Sequence, residues 1–287
     1  MTNIPEISLP PLNSRELTTL LTTLPSARTH ELHDSSTQTK AHQTIRRMWG
    51  VDDSLSFARK RLEDTGYLIM HNMPFEPDGK LFVALFAGIG TIVEQYRPET
   101  LLVKDVVCND GTAAVVTLPH TDSTGWPVPN DVTILECVRS DAERGGETRL
   151  ISAKNALKFI TDKHGIESAR LLSSAVPFQL DQVLGGDRII WSPIIEKDDT
   201  SKYKVRFLLH DIVTCATRNH IELEKELVKS MKNLEMIDSD GAPIDETLLN
   251  PGDVVLLNNR EALHWRSPVK ENSQRLLRRI KLNLHNP

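Results

Sequence analysis

The stretch that most constrains this chain is Leu118-Pro119-His120-Thr121-Asp122, which closes the apolar run Ala113-Ala114-Val115-Val116-Thr117. In extended backbone, side chains two positions apart point to the same side, so a strand ending here presents His120 and Asp122 together. Spacing alone carries little weight. Ten histidines and 39 acidic residues in 287 positions give roughly one such pair by chance. A second pair, His220-Ile221-Glu222, is indeed present. It opens a stretch with helical periodicity, where positions two apart diverge by about 200° and cannot share one ion. That pair is expected at the surface.

A metal would need a third ligand from a distant strand, and His264 qualifies. It lies beyond Pro251-Gly252-Asp253, a turn signal, and Val254-Val255-Leu256-Leu257, an apolar strand run. Two histidines and a carboxylate on one face leave other positions open, which suits non-haem Fe(II). Zinc accepts the same donors with water in the remaining place. Any one of these histidines taken singly could equally be a polar group satisfied by its neighbours.

Downstream, Arg275-Leu276-Leu277-Arg278-Arg279-Ile280-Lys281-Leu282-Asn283-Leu284 alternates. Arg275, Leu277, Arg279, Lys281 and Asn283 share one face, and Leu276, Arg278, Ile280, Leu282 and Leu284 the other. Deep in a β structure, Arg275 and Arg279 would point inward and need anionic partners, since an unpaired buried charge is prohibitively costly. A dicarboxylate would satisfy the guanidinium fork. The alternative is an edge strand with a solvated cationic face.

Composition narrows the classes. A net charge of −5 gives no electrostatic reason to expect nucleic acid. The three cysteines, Cys108, Cys137 and Cys215, are scattered and odd in number, as in a reduced cytoplasmic protein. Met1 to Pro11 has no secretory pattern, and no apolar run is long enough for a membrane span. The expected partner is a small-molecule substrate.

Along the chain, residues 1–50 read as an N-terminal extension or lid, with a short capped helix at Ser14–Leu24 and a polar excursion at His30–Gln43. Ser54–Asp64 and Leu81–Ile92 have helical spacing, and Tyr67–Met70 reads as a buried strand. Strands are expected at Val103–Cys108, Ala113–Leu118, Val132–Val138, Glu147–Ile151, Tyr203–Leu209, Val254–Leu257 and Arg275–Leu284. Helices are expected at Ser152–Lys163, Glu167–Ser174 and Ile221–Leu234. Many strands with segregated helices imply a mainly β fold with flanking helices (α+β), a two-sheet jelly roll in one domain over 1–287.

With these residues assembled, the chain resembles the TauD/TfdA-type 2-oxoglutarate oxygenases, including the clavaminate-synthase-like amino-acid hydroxylases. The matches run from Leu62-Glu63-Asp64-Thr65-Gly66-Tyr67-Leu68 to Ile280. The resemblance implies a double-stranded β-helix of cupin type. It implies Fe(II) held by His120, Asp122 and His264, with 2-oxoglutarate and O2 in the open positions. Gly145-Gly146-Glu147-Thr148 is similar to the segment whose threonine binds 2-oxoglutarate, and Arg275 stands where the co-substrate arginine is expected. Arg279 corresponds to a second arginine that contacts substrate or co-substrate. The implied reaction is hydroxylation of an unactivated C–H in a small polar substrate such as an amino acid, with 2-oxoglutarate decarboxylated to succinate. Desaturation, or a non-redox cupin or zinc hydrolase, are the alternatives. The chain departs from the pattern in Asp122, where clavaminate-like members usually carry glutamate, and in Trp265, where glycine is common. The loop Ser123–Asn130 is expected to line the substrate pocket, with Trp126 and Arg206 as further substrate candidates.

Overall fold

A computed structural model of the chain describes residues 4–96, 100–107, 116–184, 186–270 and 272–285. A seven-stranded sheet runs in the order Glu6–Ser8, Tyr67–His71, Val254–Asn258, Val132–Arg139 and Leu276–Leu284. Gly90–Val93 and Lys104–Val107 share the far edge of that last strand. A smaller sheet runs Asp245–Thr247, Thr148–Ser152, Ala262–Arg266. Ile69, Val255, Leu257 and Leu277 of the larger sheet pack with Leu150 and Ala262 of the smaller one, so the two sheets face each other. This is the helix-flanked two-sheet arrangement that the strand pattern implies.

Alternation along each strand sorts side chains between layers. Leu135 and Cys137 turn into the space between the sheets, whereas Val132 and Ile134 turn outward. The outward residues meet Leu20, Ile45, Leu62 and Phe82, from the helices Ser14–Thr23, Ser35–Trp49, Asp52–Thr65 and Lys80–Phe86. On the smaller sheet, Ile151, Leu263 and Trp265 face outward. Ile160, Ile212 and Met231 cover them, from the helices Ala153–His164, Leu209–Arg218 and Lys225–Glu235.

Several expected elements differ. Residues 30–43 are not a polar excursion: a 3-10 turn at His30–His33 leads into the helix Ser35–Trp49. Its buried stripe is Gln38, Ala41, Ile45 and Trp49, a helical spacing disguised by a glutamine. Gln38 is tolerated inside because its amide is fully used. Nε2 donates to Leu32 O and Ile92 O, both at 3.0 Å, and Oε1 accepts from Ile92 N at 2.8 Å. The apolar run from Leu81 stays helical only to Phe86, then becomes the strand Gly90–Val93. Gly90 permits that pairing, because a Cβ there would sit 2.2 Å from Asn283 O. The strand from Tyr203 ends at Val205, and an unexpected helix, Leu209–Arg218, follows. The next helix begins only at Lys225, leaving His220 and Glu222 exposed in the connection.

The arginine-rich strand is not an edge. Leu276–Leu284 is bonded on both sides, with a register shift between Leu276 and Leu277. Its cations therefore lie within the fold on both faces, buried Arg278 outward, and half-buried Arg279 and buried Lys281 inward.

Candidate metal centre and its cavity

The expected strand Ala113–Leu118 does not deliver the first histidine. Residues 113–115 lie outside the described residues, and 116–118 form a turn. His120 instead makes an isolated bridge to the smaller sheet. Its N–H donates to His264 O at 3.2 Å, and the His264 N–H donates back to His120 O at 3.0 Å. The two rings lie 4.3 Å apart between centroids, tilted by 45°. Thr121 turns the opposite way, its N–H donating to Phe207 O at 2.7 Å and its hydroxyl accepting from Phe207 N at 3.0 Å. His120 and Asp122 thus share a side, by alternation in a short extended piece. Asn259, fully buried, grips the Asp122 backbone: its Oδ1 accepts from Asp122 N at 2.7 Å and its Nδ2 donates to Asp122 O at 3.1 Å.

The protonation states suit metal ligation. Burial, then the neighbouring His120, pushes His264 down to about 3, and burial also lowers His120, so both rings are neutral near pH 7. His120 Nδ1 lies 2.8 Å from Leu118 O, which only a protonated nitrogen satisfies, leaving the Nε2 lone pair free. His264 Nδ1 is buried and finds no hydrogen-bond partner among the described residues. Its Nε2 stands 3.9 Å from Asp122 Oδ2. Burial alone would raise the Asp122 carboxyl, but Arg279 and Lys281 outweigh it and hold the group well below the usual carboxylate range.

Asp122 is engaged on both oxygens. Oδ1 accepts from Arg279 Nη1 at 2.9 Å, with Lys281 Nζ at 3.4 Å, and Oδ2 accepts from Thr133 Oγ1 at 2.8 Å. Among the described residues, no three His, Cys, Asp or Glu side chains stand as a ready-made metal-ligand group. The donor chemistry nevertheless fits a divalent ion: two neutral imidazoles, one buried nitrogen unpartnered, and an ionised carboxylate.

A cavity of ≈ 480 Å³ opens beside these groups, within the range of small-molecule sites. His120, Asp122, Trp126, Arg279 and Lys281 line one side, and Asp211 and Arg218 of the helix Leu209–Arg218 line the other. None of residues 4–50 reaches it. Trp126 carries Lys281 Nζ at 5.6 Å from its ring centroid. Arg206, expected as a substrate candidate, is not among the residues lining the cavity. It is buried over the Phe178 ring at 4.6 Å and clasps the loop, donating from Nε to Thr124 O at 3.0 Å and from Nη2 to Trp126 O at 2.6 Å. Burial lowers its pKa to about 10.

Thr148 and Arg275 do not line this cavity, although both are buried. Thr148 pairs with Arg266, two residues along the strand from His264 and on the same face. Arg275 lies against Gly146, where an added Cβ would come within 3.0 Å of its Nε. The two are therefore neighbours through the Gly145–Thr148 segment. Sequence reasoning missed Lys281, Thr133 and Asn259. Lys281 was visible on the inward face of its strand, but the partners of the other two depend on contacts distant in sequence.

A family model for the taurine catabolism dioxygenase TauD, TfdA family matches residues 48–203, more than half of the chain. The chain belongs to this dioxygenase family. The match takes in His120, Asp122 and Thr148 but ends before His264, Arg275 and Arg279. No curated protein matches the chain in sequence. Among solved structures, an asparagine oxygenase in complex with Fe(II), 2S,3S-3-hydroxyasparagine and succinate superposes with a TM-score of 0.69. It is 17% identical, over 97% of this chain and 93% of that one. The non-heme iron oxygenase OrfP, bound to Fe and alpha-ketoglutaric acid, gives a TM-score of 0.66 at 16% identity, over 98% and 94%. OrfP with Fe, succinate and (3S)-hydroxy-L-Arg gives 0.66 at 15%, over 97% and 94%. These likenesses extend the shared fold to the whole TauD/TfdA chain. No described helix is long and apolar enough to cross a membrane.

Proposed function

We propose that the chain is an Fe(II)- and 2-oxoglutarate-dependent oxygenase that hydroxylates an unactivated C–H bond of a small amino-acid-like substrate. The observation that carries this reading is the pair of buried neutral histidines beside ionised Asp122, with His120 and Asp122 at the cavity wall and His264 behind them, in a chain of the TauD/TfdA family. The similar structures hold 3-hydroxyasparagine and hydroxy-L-Arg, which supports an amino-acid substrate.

His120, Asp122 and His264 would hold the iron, which when bound supplies the activation of dioxygen coupled to decarboxylation of 2-oxoglutarate to succinate. The chain's own residues do the positioning. Leu118 O fixes the His120 tautomer, and Asn259 fixes the backbone of Asp122. Arg275 and Thr148 are assigned the far carboxylate of 2-oxoglutarate, and Arg279 a co-substrate or substrate carboxylate. The Arg206 clasp holds the 124–126 loop against the cavity, with Trp126 placed to cover the substrate.

The test is succinate release by iron-loaded protein in air, with a panel of amino acids and mass analysis of the product. Gain of one oxygen atom supports hydroxylation, whereas loss of two hydrogens redirects the reading to desaturation. Anaerobic Fe(II) with 2-oxoglutarate should also give a weak visible charge-transfer band. An iron-loaded protein with neither band nor succinate sinks the proposal.

A further inference from the structure

We infer that Lys281 is the charge that seats the carboxylate of the substrate, so that this site accepts amino acids and rejects the corresponding amines. The assignment rests on the oxygenase reading and deepens it. Lys281 comes from the strand Leu276–Leu284 and its side chain is 8% exposed. Its ammonium donates to Ser123 Oγ at 3.0 Å, lies 3.4 Å from Asp122 Oδ1, and sits 5.6 Å from the Trp126 ring centroid. It is thus held at the base of the loop expected to cover the substrate, and it lines the cavity.

The charge around Asp122 is unbalanced toward positive. Arg279, half-buried, reaches the same Asp122 oxygen at 2.9 Å, so two cations share one carboxylate. Arg279 has a second neutral partner, Gln95 Oε1 at 2.9 Å, and Lys281 has Ser123 and the face of Trp126. Neutral partners solvate a buried cation but do not neutralise it. A divalent ion held by Asp122 would add to the positive charge there. The keto-acid end of 2-oxoglutarate supplies one negative charge there, and its far carboxylate is assigned to Arg275. Around the whole cavity, the cations Lys104, Arg218, Arg279 and Lys281 outnumber the carboxylates Asp122, Asp181 and Asp211, and Lys281 lies on the Trp126 side. A substrate carboxylate fills the deficit, with a charge-assisted hydrogen bond to Lys281. Lys281 selects by charge and takes no part in bond breaking.

The test compares wild type, Lys281→Met and Lys281→Arg with the common L-amino acids and with their decarboxylated amines, for example L-arginine against agmatine. Two measurements run together: stimulated succinate release by iron-loaded enzyme, and tryptophan fluorescence of metal-free protein, with Trp126→Phe identifying the reporting ring. The inference requires that stimulating compounds carry a carboxylate. Lys281→Met should raise their half-saturating concentration roughly tenfold to a hundredfold. That for 2-oxoglutarate should move far less, and Lys281→Arg should recover most of the loss. In metal-free protein the same compounds should change wild-type fluorescence and leave Lys281→Met unaffected. An amine that stimulates as well as its amino acid overturns the inference, as does a Lys281→Met variant that saturates like wild type. So does a panel in which nothing stimulates or binds. Absence of succinate with a Lys281-dependent fluorescence response counts against the oxygenase reading while leaving the carboxylate seat in place.

Discussion

His120 and His264, far apart in sequence, exchange both backbone hydrogen bonds across an isolated bridge. The bridge, and not either side chain, sets the rings 4.3 Å apart. Replacing one ring should therefore leave the backbone geometry in place. His264→Ala is expected to fold and to lose Fe(II) affinity by more than about a hundredfold. Anaerobic reconstitution followed by iron analysis checks this. Stoichiometric iron in the variant would show that His264 is not a ligand.

Asp122→Ala should behave differently, because it strands buried Lys281 and half-buried Arg279. Arg279 and Lys281 both lean on the Asp122 carboxylate, and removing one partner of a buried ion pair costs about 3–5 kcal/mol. The metal-free variant is expected to show a clearly lower denaturant midpoint than His264→Ala. Equal midpoints for the two variants would mean that solvent, not Asp122, balances the cations.

Arg275 is buried against Gly146, two residues before Thr148. If that corner holds the far carboxylate of 2-oxoglutarate, Arg275→Ala should raise the half-saturating concentration of 2-oxoglutarate at least about tenfold. Iron content should be unchanged. Gly146→Ala should act in the same direction, since its φ of +79° and the contact with Arg275 leave no room for a methyl group. Unaltered co-substrate affinity in Arg275→Ala would transfer the role to Arg279.

On the outer face, Glu136 opposes Arg278, at 3.9 Å between Oε2 and Nη1, and burial raises its carboxyl to about 7 from an ordinary 4.5. The unfolded chain releases this proton near 4.5 while the folded chain keeps it until about 7. Its contribution to stability therefore falls as pH rises through that window and stays low above it. Glu136→Gln removes the penalty. Relative to wild type, the variant should gain about 3 kcal/mol between about pH 4.5 and pH 8. Denaturant titrations at several pH values measure the difference, and a constant offset would place the carboxyl at its ordinary value.

Much of the site was legible in the residues themselves. The His-x-Asp spacing, a distant histidine after an apolar strand, and an alternating cationic strand are local patterns, and side-chain alternation carries each of them. The elements that were misread had their periodicity disguised. Gln38 interrupts the buried stripe of the helix Ser35–Trp49, and its acceptability depends on Leu32 and Ile92, contacts that no local window contains. The helix Leu209–Arg218 carries Val213, Thr214 and Thr217, residues that lean toward strand, and its Leu209, Ile212 and Ala216 stripe forms only because a sheet is there to receive it.

By itself, the sequence determined the donor types, their spacing along the chain, and the family to which they belong. Only the tertiary structure decided that His120 arrives on a bridge, that Arg206 holds a loop, and that Arg279 and Lys281 converge on one oxygen of Asp122. The reason is physical. Which face of a strand is inside, and how much charge is buried there, depends on which strands flank it, and Leu276–Leu284 has partners on both sides.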